Sequence, residues 1–362
     1  MDVVQEQYEK FPYPSIPWTG RIVTTSLAHA CYEAGAALVH QRFISSSEKT
    51  LALLGCGTLE PYAFGLTHKN AHIRAVDFSS QSLTLAQRKC RLSRIKNVQF
   101  FNQDLLKWAD ENKESIDYVH CYGVIHHLAE PQSGFDAVRK VLKKDGFARI
   151  MVYSQSNRRR IKQFQRIANI LNVTSASKNQ YKNLKNFALC LPSDHPMRKT
   201  FLSHSEKSFT SGLIDAFLHT REASFTYETF LKNLRSAGLI IYGWDFSETT
   251  KSFLDKAWGK NFEEKILWLE AFDQFPSPFT VWVGPLIQMR INRPLDFVTA
   301  NPLVDYRFKR TIYSTLLKRK IKLTSYHKKI LKASQEKLLR RSELKEDIVD
   351  LVESRFLLEV SQ

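Results

Sequence analysis

The sequence predicts an α/β fold with a parallel sheet, and three observations carry this prediction. Short apolar segments alternate with segments of helical periodicity from residue 49 to residue 154, as in a series of βαβ units. A glycine turn, Gly55-Cys56-Gly57, follows the first apolar segment. Carboxylates follow the second and third segments, at Asp77 and Asp104. Because ligands bind beyond the carboxyl ends of parallel strands, these residues are expected to share one binding edge.

The first strand, Leu51 to Leu54, runs into the glycine turn, and a helix is predicted from there through Leu66. Glycine lacks a Cβ and lets backbone approach a ligand closely, while the start of a helix presents free N–H groups. This unit therefore predicts a nucleotide-like cofactor. A dinucleotide site would carry a third glycine in G-x-G-x-x-G, and Glu60 occupies that place, which disfavours NAD.

The other predicted elements follow along the chain. The strands are Ile73 to Val76, Val98 to Phe101, Ile116 to Cys121, Phe147 to Tyr153, Gly238 to Trp244 and Phe279 to Ile287. The helices are Ser26 to Phe43, Ser80 to Leu92, Leu105 to Ala109, Gln132 to Leu142 and Thr226 to Ala237. Right-handed crossovers would place these helices on both faces of the sheet.

Four motifs in this order and spacing, GCGT, AVDFS, NQDLL and IDYVHCYGVIHHLAEP, resemble the cofactor half of a class I S-adenosylmethionine-dependent methyltransferase. The resemblance covers residues 49–154. Beyond them, QYEKFPYP, RIMVYSQ, IDAFLHTREASFT and FDQFPSPFTVWV resemble a bacterial subgroup often attached to tetratricopeptide repeats, although no such repeat is visible here. The resemblance implies a Rossmann-like seven-stranded sheet, S-adenosyl-L-methionine as the cofactor and methyl transfer as the activity.

The resemblance also implies which residues bind the cofactor. Gly55 and Gly57 would admit its amino acid end. Asp77 would hold the ribose, and Asp104 would accept a hydrogen bond from the adenine amino group. The remaining members of the implied set are Cys56, Phe78, Leu105 and Tyr122.

Two positions depart from the family pattern. Leu53 stands where many class I enzymes have an acid, and Leu59 stands where many have a glycine. The second departure brings a side chain close to the methionine moiety, so we expect it to weaken or re-angle cofactor binding.

Methyl transfer from a sulfonium is an in-line displacement with a good leaving group, so positioning can supply most of the acceleration. If a base is needed, our candidates are His219, Asp215, His126, His127 and Tyr153, because they are ionisable and lie near strand ends or in the predicted lid. Asp215 and His219 are four residues apart, so on a helix they would share one face. Of His126 and its neighbour His127, one is expected to pack and the other to face the cleft. No metal site is predicted.

We predict three parts of the chain. Residues 1–47 form a lead-in over the site, in which Tyr8, Tyr13 or Trp18 either contacts the acceptor or fastens the segment to the core. Residues 48–290 form the methyltransferase domain, with residues 155–225 as a substrate-lid insertion.

Residues 291–362 are predicted to form a basic helical C-terminal extension. Residues 306–341 carry many lysines and arginines against one acid, Glu336, and Ile312, Leu316, Leu323 and Ile330 fall on one face of a helix or helix pair. Three uses remain open for this surface: a solvated helix face, RNA or another polyanion, and a membrane surface or protein partner. The net charge of +17 favours acidic partners.

The sequence thus predicts a methyltransferase acting on an unidentified small molecule, protein or RNA. The alternative is a catalytically weak methyltransferase-like scaffold that binds nucleic acid or a protein through the extension. Five cysteines without C-x-x-C or metal spacing favour a cytoplasmic location. Neither a signal peptide nor a transmembrane segment is predicted, because no apolar run has the required length or flanks.

Overall fold

The computed structural model describes residues 2–15, 22–174, 180–204, 209–286, 295–307 and 309–361. Its central strands are β1 (Thr50–Leu54), β2 (His72–Asp77), β3 (Val98–Asn102), β4 (Ile116–Tyr122), β5 (Leu142–Val152), β6 (Ile240–Trp244) and β7 (Phe279–Gly284). They form one seven-stranded sheet in the order β3-β2-β1-β4-β5-β7-β6. The predicted α/β fold with a Rossmann-like seven-stranded sheet is confirmed.

Strands β1 to β5 pair in parallel, as predicted. Strand β7 runs antiparallel between β5 and β6, which the apolar pattern does not encode. Alternate residues of β1 point to opposite faces. Leu51 and Leu53 join one buried cluster, and Ala52 and Leu54 join another. The sheet is therefore covered on both sides, and its strand ends are left to build a site.

Helices accompany the first six strands. They are α1 (Val3–Lys10), α2 (Tyr32–His40), α3 (Glu60–Thr67), α4 (Ser80–Leu92), α5 (Leu105–Glu111), α6 (Pro131–Val141) and, after the insertion, α11 (Tyr227–Ser236). Ser79 caps α4 by accepting a hydrogen bond from the Ser82 N–H. The predicted helix from Ser26 to Phe43 is shorter, because residues 24–27 form a 3₁₀ turn and α2 begins only at Tyr32.

Over its described residues, the predicted insertion forms the helices α7 (Gln155–Ile170), α8 (Gln180–Cys190), α9 (Pro196–Ser203) and α10 (Thr210–Phe217). They pack on a cluster of their own that includes Phe164, Phe201 and Phe217. A bridge between Ser154 and Phe225 closes the insertion where it leaves and rejoins the sheet. Between β6 and β7 lie α12 (Glu248–Lys256) and α13 (Phe262–Ala271).

The C-terminal extension is a mixed α/β unit, so the prediction of a helical extension is wrong over residues 306–324. Its elements are β8 (Phe297–Ala300), β9 (Thr311–Ser314), β10 (Arg319–Lys322), α14 (Ser325–Glu336), β11 (Leu339–Arg340), α15 (Val349–Glu353) and β12 (Leu357–Val360). Ile312 pairs with Ile321 in a β9–β10 hairpin whose buried and exposed residues alternate. A period of two is typical of a half-buried strand. The prediction of a helix rested on helical spacing alone and did not consider this alternation.

A buried ion pair fastens this extension to the central sheet. Arg355 Nη2 lies 2.6 Å from Asp245 Oδ1, and Arg149 Nε lies 2.7 Å from Asp245 Oδ2. Trp282 on β7 donates its indole N–H to the same carboxylate at 3.0 Å. Burial raises the pKa of Asp245, but the two guanidinium charges outweigh burial and lower it. The extension is thus anchored to the sheet by charge as well as by apolar contact.

Within the described ranges, every helix is too short or too polar to cross a lipid bilayer.

Candidate functional site

A cavity of about 980 Å³ opens at the carboxyl ends of β1 to β5. Small-molecule sites occupy roughly 300–1,000 Å³, so this one has room for a cofactor and a second reactant. We call the part around Gly55, Gly57, Asp77 and Asp104 the turn end. The part around Tyr8, His127, Tyr153 and Asp215 is the histidine end. All of these residues line the same cavity.

The turn end is built on two glycines with left-handed backbone, Gly55 at φ +65° and Gly57 at φ +53°. A Cβ on Gly57 would lie 2.6 Å from the Tyr13 carbonyl oxygen, and one on Gly55 would lie 2.5 Å from the Val124 side chain. Both positions therefore need glycine for conformation and for space.

Asp77 is fixed at the tip of β2 by two backbone donors. The Gly57 N–H donates to Oδ2 at 2.8 Å, and the Ser79 N–H donates to Oδ1 at 2.9 Å. Each carboxylate oxygen accepts up to two hydrogen bonds, so each keeps capacity for a ligand. Burial raises the pKa of Asp77 to about 6, against the opposing effect of these backbone bonds, and the Glu60 and Glu9 charges add to the rise.

Asp104 both caps a helix and lines the cavity. It caps α5, because its Oδ1 accepts from the Leu106 N–H at 2.8 Å and from the Lys107 N–H at 3.3 Å. It also lines the cavity, as do the other predicted cofactor residues Cys56, Phe78, Leu105 and Tyr122. The structure therefore brings the whole predicted cofactor set to one cavity.

The histidine end contains a hydrogen-bond chain. The Arg221 N–H donates to His219 Nδ1 at 3.2 Å, which leaves the proton of this neutral ring on Nε2. His219 Nε2 lies 3.2 Å from the Tyr8 hydroxyl, and this hydroxyl donates to Asp215 Oδ1 at 2.7 Å. Burial lowers the pKa of His219, and the neighbouring His127 lowers it further, so the ring is neutral.

His127 is held beside this chain in one tautomer. Its Nδ1 lies 2.8 Å from the Arg221 carbonyl oxygen, so Nδ1 carries the proton and Nε2 carries the lone pair. Among the described residues, none makes a hydrogen bond to Nε2. Burial lowers the pKa of His127 to about 4, so this lone pair is available throughout the neutral pH range.

Two predicted catalytic residues do not line the cavity. His126 is fully buried and stacks on Tyr153 with ring centroids 3.8 Å apart, so the candidate of the pair that faces the cleft is His127. His219 lies two positions beyond the end of α10 at Phe217 and contacts the cavity residue Tyr8. Asp215 and His219 therefore meet through Tyr8 rather than along one helix face.

Tyr153 lies between the histidines and the insertion. The Arg158 guanidinium stands 4.0 Å from its ring centroid, and Arg158 forms a buried ion pair with Glu222. Tyr153 thus forms a wall of the cavity, and its ring contacts both the Arg158 cation and His126.

Helix α1 covers the histidine end. Asp2 accepts two hydrogen bonds from Arg221 Nη2, both at 2.8 Å, and Gln7 Oε1 accepts from the Thr220 N–H at 3.0 Å. At its other end, Glu9 Oε1 accepts from the Ser80 N–H at the start of α4 at 2.6 Å. The lead-in supplies Tyr8 and lines the cavity with Tyr13. Trp18, the third predicted aromatic, lies outside the described residues.

His127, Asp215 and His219 offer ligand atoms within 4.8 Å of one another, the composition of a two-histidine, one-carboxylate metal site. Two observations oppose a metal ion there. Both ring nitrogens of His219 are already used in the hydrogen-bond chain. The rings of His127 and His219 stack 3.6 Å apart at 16°, so their nitrogen lone pairs lie in nearly parallel planes and do not converge. The arrangement suits proton transfer better than metal binding.

Comparison with known proteins finds a family match over part of the chain and structural similarity over more of it. Residues 53–148 match the family described as a methyltransferase domain. The structure is similar to PKMT2 from Rickettsia typhi in complex with AdoHcy, with TM-score 0.56, 13% identity, and coverage of 79% of this chain and 58% of that chain. A second PKMT2 structure gives TM-score 0.57 and 14% identity, with coverage of 97% and 77%.

In sequence, the chain is 24% identical over 266 residues to uncharacterized protein syc1184_c of a Synechococcus strain. This match covers 71% of this chain and 63% of the Synechococcus protein. The chain thus spans less than two thirds of that relative and of the AdoHcy-bound PKMT2 chain.

Proposed function

We propose that this chain is an S-adenosylmethionine-dependent methyltransferase whose cofactor lies at the turn end and whose methyl acceptor lies at the histidine end. The observation that carries the proposal is the single cavity that joins the Asp77 carboxylate to the lone pair on His127. A cofactor at one end and a proton acceptor at the other are what a group-transfer site requires. The AdoHcy in the PKMT2 structure, the product left after methyl loss, supports the choice of cofactor.

The turn end suits a positively charged adenosine derivative. Asp77 would accept from the two ribose hydroxyls, and Asp104 would accept from the adenine amino group. Together with Glu60, these residues give three carboxylates lining the turn end of a chain whose net charge is +17. A sulfonium is attracted by such local negative charge, while a pyrophosphate would be repelled. Leu59 lines the cavity here. The cavity is therefore open even though this position carries leucine where many class I enzymes have glycine.

At the histidine end, the residues would orient the acceptor and receive its proton. The cofactor, when bound, would supply the methyl group, with its carbon–sulfur bond breaking to leave a neutral thioether as the acceptor atom bonds to the methyl carbon. The acceptor's proton moves to His127 Nε2, whose orientation is held by the Arg221 carbonyl. Tyr8 and Asp215 would hold the acceptor in line with the methyl group, with His219 as a positioning residue for Tyr8 and with Tyr153 as a wall.

Incubation with methyl-labelled S-adenosylmethionine and a cell extract, separated into RNA, protein and small-molecule fractions, tests this proposal. We expect label in one fraction, and we expect His127→Gln to reduce that labelling while cofactor binding persists. A folded protein that binds the cofactor but labels no fraction would contradict the proposed activity. Equal labelling by His127→Gln and by the native chain would remove His127 as the proton acceptor.

The segments that carry the resemblance to the repeat-associated subgroup meet at the histidine end. QYEKFPYP supplies Tyr8, RIMVYSQ supplies Tyr153, and IDAFLHTREASFT supplies Asp215 and His219. This meeting supports a shared acceptor chemistry within that subgroup, and membership stays a proposal. A cytoplasmic location also stays a proposal, supported by five free cysteine thiols.

The β9–β10 hairpin favours a second, additional function, the binding of RNA or another polyanion. Tyr313 is 49% exposed and stands directly opposite Lys320, with Lys318 and Lys322 exposed beside them. An exposed aromatic ring among cations suits single-stranded nucleic acid. Binding of a labelled RNA should weaken with salt and in Lys320→Glu/Lys322→Glu, and salt-independent binding would count against this surface.

A further inference from the structure

Glu60 is a charged residue of the cavity whose carboxylate is only half satisfied. It is the first residue of α3 and lines the turn end. Its Oε1 lies 3.3 Å from His120 Nε2. Its Oε2 is buried and has no hydrogen-bond partner among the described residues. A buried, unpaired carboxylate oxygen is costly. Because Glu60 lines the cavity, a ligand there that donates to this carboxylate would offset the cost.

The carboxylate is held in place from behind. His120 is buried on β4, and its Nδ1 lies 3.1 Å from the Tyr118 hydroxyl, which donates to the Ala30 carbonyl oxygen at 2.9 Å. Within the described ranges, no lysine or arginine approaches Glu60 within ion-pair distance. The start of α3 favours a negative charge there, but the backbone leaves Oε2 without a donor. The site is therefore prepared for a cation from the cavity.

Strand order indicates which part of the cofactor comes to Glu60. Asp104 follows β3 and Asp77 ends β2, and these would hold the adenine and the ribose of the proposed cofactor. The next strands in the sheet are β1 and β4, and His120 on β4 pairs with Leu53 on β1. A cofactor lying along the strand tips therefore brings its amino acid end to Glu60.

We propose that the Glu60 carboxylate binds the α-ammonium group of the cofactor's methionine moiety, with His120 as the positioning residue behind it. The inference rests on the proposed function and adds the residue that recognises the amino acid end. The terminal torsion of a glutamate side chain is broad, so either oxygen can turn to the ammonium. A charged acceptor on α3 would also hold the methionine moiety where Leu59 replaces the usual glycine.

Calorimetric titration of the full chain tests this assignment with two ligands, S-adenosylhomocysteine and its deaminated analogue, in which hydrogen replaces the α-amino group. The native chain should bind S-adenosylhomocysteine more tightly, by roughly tenfold to hundredfold, as expected for a charge-assisted hydrogen bond. Glu60→Gln, which keeps the shape of the side chain, should remove most of that difference. Asp77→Asn is the matched control, because it should weaken both ligands by the same factor.

Glu60→Asp provides a second variant that keeps the charge and shortens its reach, and it should retain part of the preference. Circular dichroism must report the native fold for each variant. If Glu60→Gln weakens both ligands equally, or neither, the assignment of Glu60 is overturned while the proposed function stands. If the folded native chain binds neither S-adenosylmethionine nor S-adenosylhomocysteine, the proposed function falls and this inference falls with it.

Discussion

Lowering the pH from 7 to 5 should weaken S-adenosylmethionine binding about tenfold, because Asp77 becomes protonated. Burial raises the pKa of this carboxyl to about 6. About nine tenths of it is ionised at pH 7 and about one tenth at pH 5, as a simple titration requires. A protonated carboxyl loses one acceptor oxygen, so it cannot hold both ribose hydroxyls while it accepts from Gly57 and Ser79.

The raised pKa of Asp77 also determines the direction in which folding stability changes with pH. The pKa of Asp77 in the folded chain is above the ordinary value of 3.8, so the native state binds its proton more tightly than the unfolded chain does. Ionisation therefore costs folding stability as the pH rises from about 4 to about 6. In the proposed complex, the two ribose hydroxyls would donate to the ionised carboxylate and offset this cost.

The assay is calorimetric titration at half-unit pH steps from 5 to 8, with the fold monitored by circular dichroism at each step. Asp77→Asn is the control, since its amide does not titrate and its weaker binding should be flat across this range. A dissociation constant of the native chain that stays the same from pH 7 to pH 5 would refute the assignment of Asp77. An equal pH dependence in Asp77→Asn would place the effect elsewhere.

Three further predictions concern the turn, the hydrogen-bond chain and the anchored extension. Gly57→Ala should lower both the unfolding midpoint and the cofactor affinity. Its control is Gly238→Ala, at φ +70° with open space where the new Cβ would lie, which should lower the free energy of unfolding by only about 1 kcal/mol in chemical denaturation. Equal effects of the two substitutions would contradict the close approach of backbone at Gly57. Tyr8→Phe should slow methyl transfer roughly tenfold to hundredfold in a single-turnover assay with unchanged cofactor affinity, because Asp215 and His219 lose their shared partner; an unchanged rate would remove Tyr8 from the site. Asp245→Asn should lower the free energy of unfolding by about 3–5 kcal/mol, as for one partner removed from a buried ion pair. The exposed pair of Arg159 and Asp273 serves as its control, since Arg159→Ala should cost about 0–1 kcal/mol.

The sequence was sufficient for the central sheet and the turn end because both depend on short-range patterns. Gly55, Asp77 and Asp104 each follow an apolar strand directly, and parallel strands bring their carboxyl ends together whatever the intervening helices contain. The same logic places Glu60 in the cavity. Its partner His120 could not be predicted, because that contact joins the start of α3 to a residue of β4 that is distant in sequence, and such a contact leaves no local pattern.

The histidine end depends on contacts between segments that are distant in sequence. Such contacts could not be predicted from local sequence patterns. Tyr8 and Asp215 are separated by 207 positions, and only the docking of α1 on the insertion brings them together. The choice of His127 over His126 depends on the 3₁₀ turn at residues 125–127, where a one-residue shift exchanges the buried and the cavity-facing side chain. The apolar spacing of the extension predicts a helix because Ile312 and Ile330 lie a whole number of helical turns apart. In the structure, Ile312 belongs to the β9–β10 hairpin and Ile330 belongs to α14.

A crystal structure of the chain with S-adenosylhomocysteine tests the central claim most directly. We predict electron density for adenosine along the tips of β3, β2 and β1, with both ribose hydroxyls on Asp77 and the sulfur atom directed towards Tyr8 and His127. An empty cavity at saturating ligand, blocked by the Leu59 side chain, or a ligand bound away from Asp77, would contradict it.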